Sequence, residues 1–521
     1  MRFFNRLNIT FAAHLVLVIL VALGLLPRTV VLWDAAVLAV YLIAVPLGEG
    51  LIFFIRSIPL FIAIPFTASF DNFNMWRIFV LILFIKWFVG AEARVYLKEI
   101  YRKFFRAPWQ AIKENRLLFS FKLLGLLALL SLIMAPDKAA GIKRIIFFIN
   151  AGVIGWVIWE YGRRSKDFLR RAVKNITIPV IIVTLVGLIQ LLSTYFMDIY
   201  QFMSLWGEGI DLRLFGATWS YIAVHVGNTW FAYFGDQLSL RVFSLFPDSH
   251  SFPIFLLLGL PAFFAWTLQK PLAKSESLKA MFHTRGKIAV IWIPLIFLMA
   301  ILSGTRGIWA GGVAASVWAG LVWLFMRRGK VSITARNSFA YLTSYLAIFF
   351  LLFMIALPIF ASPQFLVSKN NSLLLEHRLA SIVDFGETSN SQRLEIWKDS
   401  VISIIHKPIL GVGIGNFPVV LGQNIELAKA GSSAHNIYLH IAAEMGILAL
   451  VVALYVIWLI IKQAYRFATS DQTESDRGYA AGLLITIPWV FAYLMTDVAL
   501  FDERALLLFV VTLGLLFAYE R

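Results

Sequence analysis

Five charged or titratable residues in the second half of the chain are candidates for chemistry: Arg241, Arg306, Arg393, His435 and Asp497. Arginine suits phosphate because its two parallel N–H donors match two oxygens. Histidine can take a proton from a hydroxyl near pH 7. Together these residue types suit a reaction in which a diphosphate leaves while an activated hydroxyl attacks, and that reaction needs no metal.

Each candidate also has an ordinary structural interpretation. Arg306 could extend to lipid headgroups, and Arg241 could be a loop arginine without a special role. Arg393 could form a local ion pair with Glu395 or Asp399. The histidine could be a hydrogen-bonded structural residue and the aspartate a carboxylate at a helix end. The combination on one side of a membrane, argued below, indicates more than any single residue.

Other familiar catalytic and metal motifs are missing from the sequence. Residues Gly411–Asn416 are glycine-rich but lack the Lys-Ser/Thr pair of a phosphate loop, so we predict a tight turn. His435 and His440 are five residues apart, unlike the four-residue spacing of a zinc-binding helix. There is no strained Gly-x-Ser-x-Gly turn, and the absence of cysteine removes disulfides and thiolate sites. We therefore predict neither a metal nor a cofactor.

The composition is that of a membrane protein. Of 521 residues, 60% are hydrophobic and 14% charged, and the mean hydropathy is +0.81. Such a chain cannot coat a water-soluble body with polar groups, so lipid must be its main solvent. The net charge of +17 then reflects basic cytoplasmic loops rather than a nucleic-acid partner.

The hydropathy pattern predicts an all-α polytopic protein with about 14 (12–14) transmembrane helices, since a bilayer core requires roughly 20 apolar residues per helix. The second to fourth segments are the weakest, and Arg56 and Pro59 interrupt the third. The predicted segments are 9–26, 29–46, 50–66, 75–91, 117–135, 142–160, 175–196, 251–268, 288–304, 307–326, 338–360, 437–462, 478–497 and 503–519.

Basic residues orient these segments. Four strongly basic stretches, 92–116, 163–174, 269–287 and 327–336, fall on one side if both termini are cytoplasmic. The five candidate residues then fall on the opposite, periplasmic side.

Two long segments, 197–250 and 361–436, are predicted to lie on that side. The first contains Trp206, Trp219 and Trp230, which suit an interface. The second contains a predicted amphipathic helix at Ser391–Ile405. Its apolar face is formed by Leu394, Trp397, Val401, Ile404 and Ile405.

Five short motifs stand out in the second half of the chain: Ser303–Gly307, Arg393–Trp397, Lys407–Phe417, Ala434–Leu439 and Glu444–Gly446. In their order and spacing they resemble the O-antigen ligase and O-antigen polymerase superfamily. The resemblance covers about residues 240–500, and its clearest part is His-Asn-x-Tyr-Leu followed by Glu-x-Gly after a Pro-x-x-Gly-x-Gly turn. The N-terminal half resembles the family only in hydropathy.

The resemblance implies a GT-C-like glycosyltransferase of the bacterial inner membrane with a periplasmic active site. Such enzymes move a glycan from an undecaprenyl diphosphate carrier to a sugar hydroxyl, on lipid A core for ligases or on another carrier-linked glycan for polymerases. They are regarded as metal-independent. Besides these partners, the protein would contact membrane lipids.

By position, the resemblance assigns roles to individual residues. His435 matches the family's essential histidine, and Arg306 and Arg393 match arginines that hold the diphosphate. Asp497 matches an acidic position, and Arg241 joins the diphosphate group by charge and side. Asn436, Tyr438 and Glu444 are expected to support the site.

The same resemblance divides the chain at residue 240. Residues 1–240 would form N-terminal membrane helices and the first long periplasmic loop, and residues 241–521 the catalytic region with the loop 361–436. Fourteen helices exceed the usual twelve of the ligases and favour a polymerase slightly.

Two other functions remain compatible with the sequence. A protein O-oligosaccharyltransferase would share the fold and donor but use a protein hydroxyl as acceptor. A transporter or lipid-glycan flippase would need ionisable residues near the bilayer midplane, where the sequence offers chiefly Arg56 and His14. No internal repeat supports a transporter.

Overall fold

The computed structural model describes residues 5–67, 73–90, 115–226, 229–234, 237–268, 287–366, 388–423 and 432–519. These residues are mostly helical, which confirms the all-α prediction. Two short antiparallel hairpins accompany the helices: β1 (Ala63–Ile64) pairs with β2 (Phe73–Asn74), and β3 (Phe231–Phe234) with β4 (Gln237–Leu240). The basic stretches 92–116 and 269–287 lie almost entirely outside the described residues.

In the described part of the first half, seven main helices precede the first long connecting segment. They are α1 (Arg6–Ala22), α2 (Val30–Ala44), α3 (Leu47–Ser57), α4 (Trp76–Val89), α5 (Arg116–Ser131), α6 (Lys138–Gly162) and α7 (Lys166–Ser193). Short helical turns then follow from Ile199 to Val226, and the hairpin of β3 and β4 leads to the next helix.

Nine main helices follow in the described part of the second half. They are α8 (Ser251–Thr267), α9 (Lys287–Leu302), α10 (Arg306–Arg328), α11 (Ile333–Ala361), α12 (Thr388–His406), α13 (Ile437–Met445), α14 (Ile447–Ala468), α15 (Glu474–Tyr493) and α16 (Glu503–Ala518).

The protein is a multi-pass membrane protein. Within the described ranges, five helices are long and apolar enough to cross a bilayer by length and composition: α6, α7, α10, α11 and α14. Each of the fourteen predicted segments overlaps a helix, although several of these helices are shorter than a full span. The total of fourteen crossings therefore stays a prediction.

The third predicted segment, 50–66, is not one helix, so that prediction was wrong in form. Helix α3 ends at Ser57, and a 3₁₀ turn containing Pro59 leads into the extended β1. Pro59 lacks an N–H and clashes with the preceding turn. The freed backbone carbonyls stay inside the protein: the Arg504 guanidinium donates to Phe61 O at 3.2 Å, and Met75 N donates to Ile62 O. This is how a membrane protein tolerates non-helical backbone.

The predicted helix in the second long segment is confirmed as α12, but its apolar face was only partly right. Leu394, Val401 and Ile405 are 43%, 43% and 70% exposed. Of the predicted face, Ile404 does pack, together with Ile396, against a cluster around Phe417, Ala434 and Ala443. The two sides are a fraction of a turn apart, and both are apolar, so periodicity alone does not choose between them.

The centre of the bundle is formed by α8, α10 and α15. Glycines let these helices approach closely: a Cβ at Gly482 would lie 2.8 Å from Pro261 Cα, and one at Gly311 would lie 2.8 Å from the Trp489 ring. Helices α8 and α15 are buried almost throughout. The start of α8, the start of α10 and the end of α15 meet at one end of the bundle, which is where the candidate residues lie.

Candidate functional site

Arg241 is buried in the wall of this end of the bundle. Its Nε donates to Ser303 O at 3.2 Å, and its Nη2 donates to the Thr305 hydroxyl at 3.2 Å. Burial lowers the pKa of Arg241 to about 10, and the positive charge of Arg393 acts in the same direction. The guanidinium therefore stays charged at neutral pH. Gly304, at φ +65°, lies against its side chain, where a Cβ would be 2.8 Å from Arg241 Cγ.

His250 is part of the same cluster, although it was not among the residues predicted from the sequence. Its Nδ1 is 2.9 Å from Asp497 Oδ2, and its Nε2 is 3.4 Å from Arg241 Nη2. Asp248 fixes the turn, because one of its oxygens accepts from the backbone N–H of His250 and of Ser251. The only sequence signal was its position nine residues after Arg241, at the start of a predicted span.

Asp497 is a buried carboxylate between two imidazoles. Besides His250, it approaches His435, whose Nδ1 is 3.9 Å from the same Oδ2, longer than a hydrogen bond. Burial alone would raise the pKa of Asp497, but the electrostatic attraction and hydrogen bond of His250, together with His435, hold the pKa well below its ordinary value. Asp497 is therefore an anion over the usual assay range.

His435 lies at the surface of this cluster, with its side chain 40% exposed. Its backbone has φ +45°, in the left-handed region that a non-glycine residue seldom adopts. The following residue, Asn436, caps α13 by accepting from Tyr438 N and Leu439 N. Tyr438 in turn donates its hydroxyl to Phe491 O at 2.8 Å, which ties α13 to α15. These contacts hold the left-handed backbone of His435, which would otherwise relax.

Arg306 and Arg393 flank the cluster. Arg306 is the first residue of α10, and the next residue, Gly307, packs against Tyr493 and Thr496 at the end of α15. Arg393 lies on α12, close enough for its charge to lower the pKa of Arg241. Helix α12 is held by Trp397, whose indole N–H donates to Ala434 O at 3.0 Å, next to His435.

The predicted glycine turn is present and is a packing feature. Gly411, Gly413 and Gly415 have φ of +63°, +99° and +75°. Glu444 holds this turn, because its carboxylate accepts from Phe417 N at 3.1 Å and its backbone carbonyl accepts from Gly413 N. Glu444, near the end of α13, thus fixes the glycine turn against that helix.

The aromatic residues of segment 197–250 divide into two groups. Trp206 and Trp230 are buried, and Trp230 stacks on Phe243 with ring centroids 4.2 Å apart. Trp219 and Tyr221 are 43% and 60% exposed. Tyr200 and Tyr233 in the same segment are also exposed, at 83% and 64%, so exposed rings as well as buried ones occur there.

Residues 290–454 match the family model described as O-Antigen ligase. This confirms the resemblance to the O-antigen ligase and polymerase superfamily over that stretch, which includes Arg306, Arg393 and His435. Arg241, His250 and Asp497 lie outside the match. No curated protein matches the chain.

Proposed function

We propose that this O-antigen ligase-type membrane protein is a glycosyltransferase that moves a glycan from an undecaprenyl diphosphate carrier to a sugar hydroxyl at the periplasmic face, inverting the anomer without a metal. Two observations support this proposal. The side chains of His435, Asp497, His250 and Arg241 form a cluster, and His435 lies within the stretch that matches the family model. A partly exposed imidazole next to a buried anion is the arrangement that a general base requires.

In the proposed reaction His435 is the general base. It removes the proton of the acceptor hydroxyl as that oxygen bonds to the anomeric carbon. The bond between this carbon and the phosphate oxygen breaks, and undecaprenyl diphosphate leaves with the electron pair. Asp497 stabilises the imidazolium that forms, and a single displacement inverts the anomer.

The arginines are proposed to stabilise the diphosphate as negative charge develops on it. Arg306 and Arg393, at the rim, contact the phosphate oxygens. Arg241 contributes positive charge from within the wall, because its donors are engaged by Ser303, Thr305 and His250. The exposed Trp219 and Tyr221 are candidate stacking surfaces for sugar rings.

The proposed orientation follows from the two ends of the central helices. Helix α10 has 23 residues, from Arg306 to the basic pair Arg327 and Arg328, and is about 34 Å long, so its basic end lies across the bilayer from the site. Likewise, Asp476 at the start of α15 pairs with Arg170 of the basic stretch 163–174 at 3.1 Å. Basic ends face the cytoplasm, so the site faces the periplasm. The predicted topology of fourteen spans, with both termini in the cytoplasm, agrees with this orientation of the site.

A transporter or flippase remains the second candidate because of one buried pair. His14 Nδ1 is 2.8 Å from Asp34 Oδ2, and both side chains are buried between α1 and α2. Ionisable groups inside a membrane often serve transport. The enzyme is the better-supported proposal since the family match, at residues 290–454, includes Arg306, Arg393 and His435 but neither His14 nor Asp34.

The decisive experiment is transfer in vitro by the purified protein from a lipid-linked glycan. Lipid A core, a second lipid-linked glycan and a peptide are offered as separate acceptors. Product on lipid A core indicates a ligase, chain extension a polymerase, and product on the peptide a protein O-oligosaccharyltransferase. No transfer to any acceptor, with glycolipid movement across proteoliposomes instead, would overturn the enzyme in favour of the flippase.

The proposal predicts that Arg306→Gln and Arg393→Gln each lower kcat/KM by roughly 100-fold, the usual effect of losing one donor to a developing anion. The corresponding lysine variants should recover part of the loss, because lysine keeps the charge but lacks the planar fork. Arg328→Gln, at the far end of α10, is the matched control. Equal activity of Arg306→Gln and Arg328→Gln would remove Arg306 from the site.

A further inference from the structure

One carboxylate oxygen serves two imidazoles in this cluster. Asp497 Oδ2 is 2.9 Å from His250 Nδ1 and 3.9 Å from His435 Nδ1. The two histidines differ in exposure: the His250 side chain is 15% exposed and that of His435 is 40% exposed. The buried histidine therefore contacts the carboxylate directly, while the exposed one faces outward beside it.

The contacts of His250 decide where its proton lies. A guanidinium has only donors, so His250 Nε2, facing Arg241 Nη2 at 3.4 Å, must accept. The ring proton is then on Nδ1, where it is donated to Asp497. His250 thus connects the two residues, with Nδ1 directed at the carboxylate and Nε2 at the guanidinium.

The His250 ring is also fixed in orientation. The Tyr493 hydroxyl donates to His250 O and lies 3.2 Å from Nδ1. Asp248 accepts from the backbone N–H of His250. Contacts from α15 and from the turn before α8 therefore hold the imidazole on one side of Asp497 and leave the other side of the carboxylate to His435.

We propose that His250 is a positioning residue for the general base: it links Arg241 to Asp497 and holds the carboxylate where it can accept the Nδ1 proton of His435, which leaves His435 Nε2 free to take the acceptor's proton. This inference rests on the proposed function. It extends the catalytic group from a base and its anion to a connected series of Arg241, His250, Asp497 and His435. His250 itself touches no substrate in this scheme.

The series has a pH signature. The groups that face Asp497 or its partners are His250 and Asp248 before α8, His435 before α13, Tyr493 on α15, Arg241 after β4 and Arg393 on α12. Since burial opposes the charge of Asp497, loss of His250 raises the pKa of the carboxyl. The acid limb of the rate profile then moves to higher pH.

The test compares His250→Asn, His250→Gln and His250→Phe in the full-length protein, with transfer from a purified lipid-linked glycan as the assay. The asparagine amide lies near the position of Nδ1 and keeps a donor for Asp497, so most of the activity should remain. Glutamine places its amide near Nε2, and phenylalanine has no polar atom. Both should lower kcat by about 10- to 100-fold with little change in KM, and both should shift the acid limb to higher pH.

The exposed His406, at the end of α12, gives the matched control His406→Asn, which should behave as wild type. If His250→Phe fails to fold, the glutamine variant decides. Wild-type kcat and an unshifted pH profile in a folded His250→Gln protein would overturn the positioning role and leave the glycosyltransferase intact. A wild-type protein without transfer activity would instead overturn the proposed function.

Discussion

His435→Asn should lower the transfer rate by about two to four orders of magnitude while the protein still inserts and folds, because the substitution removes the general base. Asparagine is the informative replacement, since it tolerates left-handed backbone better than most residues. His435 has φ +45°, so alanine would combine loss of the base with backbone strain. The asparagine variant separates chemistry from folding.

The measurement is single-turnover transfer at saturating acceptor, with size-exclusion profile and thermal midpoint as checks on the fold. Asp497, whose pKa is held well below its ordinary value by His250 and His435 against the effect of burial, stays ionised above pH 5. A well-folded His435→Asn protein with wild-type activity would exclude His435 as the base.

Hydropathy predicted the membrane helices well because lipid requires long apolar stretches whose backbone bonds are internal. Hydropathy failed where the backbone is surrounded by other parts of the protein instead of lipid. Around Pro59 the chain is extended, and its carbonyls bond to Arg504, which lies more than 400 residues further along the chain. A partner that distant leaves no mark on local periodicity.

The predicted packing face of α12 was only partly right for a related reason. The helix has apolar residues around much of its circumference, and the side that packs is set by the position of Phe417 and Ala434. Those neighbours come from a different segment, so the sequence could identify a helix but not which of two apolar sides is covered.

The candidate site shows the same limit at the level of single residues. Arg241, His435 and Asp497 were chosen by charge and side, and they do meet at one end of the bundle. His250 was missed because its importance depends on distances of 2.9 Å and 3.4 Å to residues in other segments. Arg306, Arg393 and Glu444 could be predicted because they lie in short motifs that resemble a family.

Gly446→Ala should destabilise the fold by about 2–6 kcal/mol, the combined cost of left-handed strain and overpacking. Gly446 separates α13 from α14 at φ +88°, where a Cβ would lie 2.0 Å from Ile409 O. The close approach exists because Ile447 N donates to Pro408 O, which docks the glycine turn onto the break. The sequence predicted a single helix over 437–462, and that prediction was wrong, because the chain breaks at Gly446 into α13 and α14.

The break at Gly446 matters to the site because α13 is only nine residues long and His435 lies just before its start. A displaced glycine turn would release Glu444 from Phe417 and shift α13, so activity should fall together with the thermal midpoint and the yield of folded protein. Gly320→Ala is the matched control: a Cβ there meets nothing within 4 Å, and alanine favours the helix. Equal thermal midpoints for the two variants would show that the turn accommodates a side chain. We expect Gly446→Ala to lose activity and thermal stability together, and His435→Asn to lose activity alone. This contrast would distinguish the residues that build the site from the one that performs the chemistry.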